Sequence, residues 1–301
     1  MAVARIDLAD AASPERIVIE ILKHEPKLPI PVPIEQLCAQ LDILEIKPLT
    51  TSGFEGGLIT DVSKHSGIIL YNQASPKKRR RFTIAHELAH FLIPSHSPDA
   101  QGQFLCSQRD MHLLSPVEQD RRSRMEVDAN RFASLILLPA PTFRLDAGLH
   151  KEANIRHIIA LSEKYQVSLE ALSRTYVSFR AEPLAIIITQ HNRVLRYYKD
   201  NRRFPFITVP FNTPVPNFSL LRRRKHEQGT PSEIDETDAG VWVEVERGRQ
   251  APTLWEQVYL QQQGYALIML TLEQDEDNEK DRDANLTSKE RYRERQMRWR
   301  E

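Results

Sequence analysis

His86, Glu87 and His90 stand together in the run RRFTIAHELAHFLIP, residues 80–94, with the two histidines four positions apart. On an α-helix of about 3.6 residues per turn that spacing projects both imidazoles from one face, close enough to share a single metal ion. Glu87 follows the first histidine, where its carboxylate is placed to take a proton from a water that such an ion activates. A catalytic zinc takes three protein ligands and keeps one position open, so a third donor is needed. The next helical run, RMEVDANRFASLILLP, offers Glu126 and Asp128. Ala129, Asn130 and Ala133 share the face of Glu126 and are small enough for close packing against the histidine helix, whereas Asp128 is flanked by the bulky Arg131 and Phe132. Helix faces therefore favour Glu126 as the third ligand.

The elements that must position these residues are legible in outline. The histidine helix starts after Ser75-Pro76, a hydroxyl followed by proline, and stops before Pro94. Ahead of it, Ser13-Pro14-Glu15 opens a helix running to about residue 23, and a second starts near Pro33. ILEIKPL, GGLITDV and SGIILYN read as two or three strands of a small sheet. From 94 to about 116 the chain reads as loop, with FLCS suited to a short strand, and a long helix over roughly 117–138 ends at PAP. EANIRHIIALSEKYQVSLEALSRTYVSF forms two helices meeting at YQVS, with Ser168 as N-cap of the second and the spacing of a helix-turn-helix. Beyond 182 the apolar period switches to two in PLAIIIT, RVLRYYK and GVWVEVE, and LWEQVYLQQQGYALIMLTL adds a helix and a last strand.

Composition narrows the function classes. In 301 residues, 41% are hydrophobic and 27% charged, the balance of a soluble globular protein. Lys and Arg together number 41, as do Asp and Glu, so no global field draws the chain to nucleic acid or a membrane. The longest apolar runs, LAIIIT and YALIMLTL, are strand-sized and too short to span a bilayer, and no signal-like apolar block opens the sequence, so a cytoplasmic location is expected. Cys38 and Cys106 lie far apart outside any CxxC pattern, which argues against a cysteine-rich zinc site and leaves a metal to His and carboxylate. KKRRR at 77–81 opposes the dipole of the histidine helix by about 0.3–1 kcal/mol per first-turn charge, so acidic neighbours on a solvated face are expected there. RRRKH from Arg222 reads as a solvated loop, and the second helix of the helix-turn-helix offers only Arg174 as a base-reading cation, too little for DNA binding.

RRFTIAHELAHFL followed by MEVDANRFASLILLP resembles the ImmA/IrrE family of metallo-endopeptidases, in which an HExxH helix precedes a helix with a Glu, then Ala-Asn, then a hydrophobic run ending in Pro. LPIPVPIEQLCAQLDI is similar to the family's N-terminal Pro-Val helix opening, and GIILYN to the strand leading into the metal helix. The likeness runs from about 13 to 180; Ala89 stands where the family usually has Gly, and the C-terminal part does not resemble the sensor-like domain of the IrrE branch. The resemblance implies His86, His90 and Glu126 as metal ligands and Glu87 as catalytic base. It also implies a protein substrate, a helix-turn-helix transcriptional repressor whose cleavage relieves repression of stress-response or mobile-element genes. Zinc suits two His and one Glu, with manganese or iron as other occupants. Tyr71, His96 and His112 are candidates to contact the oxyanion or substrate.

The expected fold class is α+β. A mainly helical zinc-peptidase domain with a small sheet covers 1–150, and a helix-turn-helix-like segment packed on it covers 151–181. A smaller α+β module for substrate recognition or sensing covers 182–272, and a charged, disordered tail covers 273–301. A second reading, a regulatory binding protein with a structural metal site, predicts four protein ligands and no use for a general base. A third, a DNA-binding regulator, predicts salt-dependent affinity.

Overall fold

The computed structural model describes residues 2–51, 53–99, 101–107, 109–113, 115, 120–245 and 251–273. Two compact units divide it: residues 1–151 with 156–176, and residues 152–155 with those from 177 onward. The expectation of a disordered tail falls on residues 274–301, outside the described residues.

The first unit opens with helix α1, Pro14–His24, where Ser13 Oγ accepts from the Arg16 amide and Pro14, Ile17, Val18 and Ile21 form the buried stripe. Helix α2, Ile34–Gln40, follows the proline-rich stretch and buries Ile34, Leu37 and Cys38. Strands β1 (Ile43–Leu49), β2 (Gly56–Thr60) and β3 (Gly67–Asn72) come next, and after helix α3 (Lys77–Leu92) the short strand β4 (Gln103–Cys106) completes a four-stranded sheet. Its order is β1-β3-β2-β4, with β1 parallel to β3 and the other pairs antiparallel. FLCS is therefore an edge strand.

Helix α3 packs on β2, β3 and on helix α4, Arg121–Leu137. Thr83 through Phe91 are all buried, so α3 is covered on every side. That fit depends on Gly56: a Cβ there would stand 2.3 Å from Thr83 Cγ2 and 2.7 Å from Glu87 Oε1. Helix α4 buries Glu126, Ala129, Asn130 and Ala133, the face its small residues predict, and begins at an Asp120 cap that accepts from the Arg122 amide. Its start lies later than the expected 117, a position outside the described residues. A helix not anticipated, α5 (Ala140–Gly148), follows at once, because Pro139 caps it and Pro141 sits in its first turn, where proline breaks no hydrogen bond. Helices α6 (Ile155–Tyr165) and α7 (Leu169–Phe179) meet at a left-handed Gln166, and Ser168 Oγ accepts from the Ala171 amide as the expected cap.

The second unit is a five-stranded antiparallel sheet of order β6-β5-β9-β8-β7, formed by β5 (Leu184–Gln190), β6 (Arg193–Lys199), β7 (Asp235–Thr237), β8 (Leu254–Leu260) and β9 (Tyr265–Leu272). The chain is thus α+β, a helical part followed by a sheet-rich one. Three local expectations are corrected. LWEQVYL is strand β8 and not a helix: Leu254, Glu256 and Val258 alternate inward, and Glu256 is held by Ser219 Oγ at 2.5 Å and Trp242 Nε1 at 3.2 Å. Over its described residues, 240–245, GVWVEVE forms no regular strand; it passes from a 3-10 turn at Ala239–Val241 to a bridge between Ile207 and Val243. RRRKH begins inside the short helix α8, Leu220–Arg223, and Asp235 pairs with Arg223 and Arg224.

Candidate metal centre

α3 and α4 bring the predicted ligands together. His86 and His90 face one another with their Nε2 atoms 3.1 Å apart, and Glu126 Oε2 lies 3.0 Å from His86 Nε2 and 3.6 Å from His90 Nε2. Both histidines are fully buried and Glu126 is 3% exposed. Asp128, the other acid of α4, stays outside with its side chain 46% exposed. Spacing on α3 and the small face of α4 are what close the cluster.

A residue outside the expected set joins it. Cys106 Sγ lies 3.8 Å from His90 Nε2 and 3.7 Å from Glu126 Oε2, and one ligand atom from each of the four residues falls within 4.8 Å of the others. The expectation from sequence named only His and carboxylate donors; Cys106 is a further group within reach of the same position. The antiparallel register sets Cys106 opposite Gly56 on the sheet, and the missing side chain of Gly56 makes room for Thr83 and Glu87 of α3. Sequence spacing carries no sign of this; only the alternation of buried Phe104 and Cys106 along β4 marks the inward face.

The donor set fits a metal cation. Asn130 Nδ2 donates to the carbonyl oxygens of Asp110 and Leu113 at 2.8 and 3.0 Å, which turns its Oδ1 toward His86 Nδ1 at 2.9 Å. An amide oxygen only accepts, so the proton of His86 resides on Nδ1 and Nε2 presents a lone pair. That lone pair faces a carboxylate oxygen and a second imidazole nitrogen, an arrangement a shared cation satisfies. Zinc bond lengths of about 2.0–2.3 Å at tetrahedral angles set neighbouring donors about 3.3–3.7 Å apart, close to the distances found.

Around the cluster, each group has an identifiable role in position. His90 Nδ1 lies 3.0 Å from His96 Nδ1, and Phe104 stacks on the His90 ring at 4.7 Å between centroids. His96, expected as an oxyanion or substrate contact, is buried to 1% exposure and hydrogen-bonded to His90 Nδ1. Lys64, also missed by sequence reasoning, reaches the C-terminal end of α3 and donates to the carbonyls of His90 and Ile93 at 2.7 and 2.8 Å. Tyr71 is the partner of Gly56 on β3, half-buried, in the same cross-strand row as Cys106. His112 belongs to a 3-10 turn at Asp110–His112, and its side chain lies outside the described residues.

Glu87 is fully buried and neither of its carboxylate oxygens has a hydrogen-bond partner. Burial pushes its carboxyl well above the usual carboxylate range; the nearby Cys106 thiol acts against this, and the negative charges of Glu126 and Asp110 act with it. For Glu126 burial acts upward but is outweighed by the adjacent imidazoles of His86 and His90, leaving it below its ordinary value. Burial, with the charges of His86 and Lys64, lowers His90 to about 4 against the pull of Glu126. Burial raises the Cys106 thiol, and the charges of Glu87 and Glu126 raise it further.

The basic run ahead of the site is not the solvated face expected of it. Arg81, 7% exposed, donates to the Val32 carbonyl at 2.7 Å, Lys78 reaches Ser162 and Glu163, Arg79 pairs with Glu55 at 3.4 Å and Arg80 donates to the Ser75 carbonyl. These partners offset the helix dipole.

Residues 50–176 match the family model of the IrrE N-terminal-like domain, Peptidase_M78. The matched stretch is similar to that peptidase-family domain, and it spans β2, β3, α3, β4, α4 and the cluster they carry. No curated protein matches the chain. A solved structure described as a Mycobacterium tuberculosis transcriptional regulator is similar, at 13% identity over 89% of this chain and 79% of that one, with a TM-score of 0.49. So distant a likeness carries no functional argument. Among the described residues, no helix is long and apolar enough to cross a membrane.

Proposed function

We propose that the chain is a zinc-dependent endopeptidase acting on a protein substrate in the cytoplasm. The observation that carries this reading is the pairing of a buried His86-His90-Glu126 donor set with Glu87, a carboxyl in the same pocket whose two oxygens have no partner. When bound, the ion supplies Lewis-acid polarisation of the scissile carbonyl and of the attacking water. Glu87 then receives that water's proton and passes it to the leaving amine, a role helped by a carboxyl pushed upward by burial. Asn130 fixes the tautomer and angle of His86, and the His96 ring holds the angle of His90. Tyr71, in the sheet row beside the site, and His112 stay as candidates for oxyanion or substrate contact.

By family resemblance the substrate is a helix-turn-helix transcriptional repressor, and its cleavage would relieve repression. The sheet-rich unit is the candidate for recognising that substrate or an inducing signal. Arg174, the cation a DNA contact would use, donates to Ser134 Oγ at 2.7 Å, which supports leaving DNA out of the reading. A second reading, a regulatory protein with a closed structural metal site, draws its support from Cys106 as a fourth donor.

Metal content by elemental analysis on wild type and Glu126→Ala, with a cleavage assay on the repressor encoded beside this gene, tests the proposal. One ion in wild type, lost together with cleavage in the mutant, is the expected result. Glu87→Gln should keep the metal and lose turnover; full activity in that variant would remove Glu87 from the mechanism.

A further inference from the structure

We infer that Cys106 is a fourth protein ligand of the metal, so that the resting site is closed and becomes competent only when the Cys106 sulfur withdraws. The inference rests on the reading of His86, His90 and Glu126 as metal ligands and concerns how that site is controlled.

Three observations lead to it. Cys106 Sγ stands 3.8 Å from His90 Nε2 and 3.7 Å from Glu126 Oε2, and one ligand atom from each of the four residues lies within 4.8 Å of the others, near enough to share one ion. A catalytic site leaves one position to water, and here sulfur fills it. Second, Glu87 lies buried beside the cluster with both oxygens unpaired, a group that a permanently structural site would have no reason to hold. Third, the four donors differ in how they are held. His86, His90 and Glu126 come from two long buried helices packed on one another, whereas Cys106 is the last residue of a four-residue strand at the edge of its sheet. The last hydrogen-bonded link at Cys106 is its carbonyl accepting from the Glu55 amide at 3.1 Å. A displacement of the end of β4 that stops short of the turn holding Asn130 through the Asp110 and Leu113 carbonyls therefore withdraws the sulfur and leaves the three-ligand set in place. Sulfur binds as thiolate, its proton passing to solvent, and takes a proton back on withdrawal; no redox partner is required.

The full-length chain loaded with Co²⁺, in a Cys38→Ala background, provides the test. Sulfur coordination gives an intense near-ultraviolet sulfur-to-cobalt charge-transfer band, which nitrogen and oxygen ligands do not. Wild-type ligation should show the band, and Cys106→Ala and Cys106→Ser should each bind one cobalt ion without it. Alkylation of Cys106 by iodoacetamide should be slow with metal bound and accelerate when a chelator removes it. Cobalt bound without the band in the Cys106-containing protein, or alkylation indifferent to metal, overturns the inference while leaving the three-ligand peptidase intact. A band present in a protein that cleaves no repressor, even as Cys106→Ala, upholds the ligand and sinks the peptidase reading. Absence of any cobalt binding overturns both.

Discussion

Asn130→Leu is the perturbation that separates a correctly oriented ligand from a merely nearby one. The replacement keeps the volume of a side chain only 5% exposed and removes its acceptor to His86 Nδ1 and its donors to the Asp110 and Leu113 carbonyls. The His86 N–H is deeply buried, so leaving it unpaired costs about 2 kcal/mol, while the two part-buried carbonyls recover some water and cost roughly 0.5–1 kcal/mol each. A loss of about 3 kcal/mol in the metal-free protein is expected, measured by urea denaturation. With the tautomer of His86 no longer fixed, metal affinity should also fall about 10–100-fold, measured by competition with a chromophoric chelator. Asn130→Asp is the control. Its carboxylate still accepts from His86 and should retain most of the affinity, yet it faces two carbonyl oxygens and should lose comparable stability. Wild-type affinity in Asn130→Leu, or equal affinity losses in both variants, would refute the claim that this amide sets the ligand's orientation.

Further tests address packing and protonation. Gly56→Ala drives a methyl into Thr83 and Glu87; overpacking should cost about 1–3 kcal/mol and abolish turnover with metal content unchanged, as read by denaturation and elemental analysis. Lys64→Met leaves the carbonyls of His90 and Ile93 without their charged donor, and a destabilisation of about 2–3 kcal/mol is expected; an unchanged urea midpoint would show that water replaces the lysine. His90 resists protonation in the fold down to about 4, whereas the unfolded chain takes up that proton near 6.5. The unfolded state binds more protons between those values, so the metal-free protein should lose stability as pH falls from 6.5, the loss reaching roughly 3 kcal/mol near pH 4. A flat stability between pH 7 and 5 in chelator-treated protein would contradict it. Restoring the metal should raise the melting temperature in a concentration-dependent way.

The sequence alone determined the parts of this protein that rest on local periodicity. HELAH on a helix fixes two imidazoles on one face, and Ala129, Asn130 and Ala133 mark the face of α4 that approaches them, so the choice of Glu126 over Asp128 followed from side-chain volume. Helix starts at Ser13 and Ser168 followed from the chemistry of unsatisfied amides, which is equally local. What failed was what depends on partners distant in the chain. LWEQVYL has the composition of a helix and becomes a strand because β9 pairs with it and Ser219 and Trp242 satisfy its buried Glu256. KKRRR looks solvated and is held by Val32, Glu55, Ser162 and Glu163, up to 85 positions away. The second role of Asn130, beyond being small, required the loop that supplies the Asp110 and Leu113 carbonyls. Cys106 entered the metal centre through the register of β4 against β2, where one residue of slip would turn its sulfur to the opposite face. Register is set by pairing across the sheet, and no spacing within the sequence encodes it.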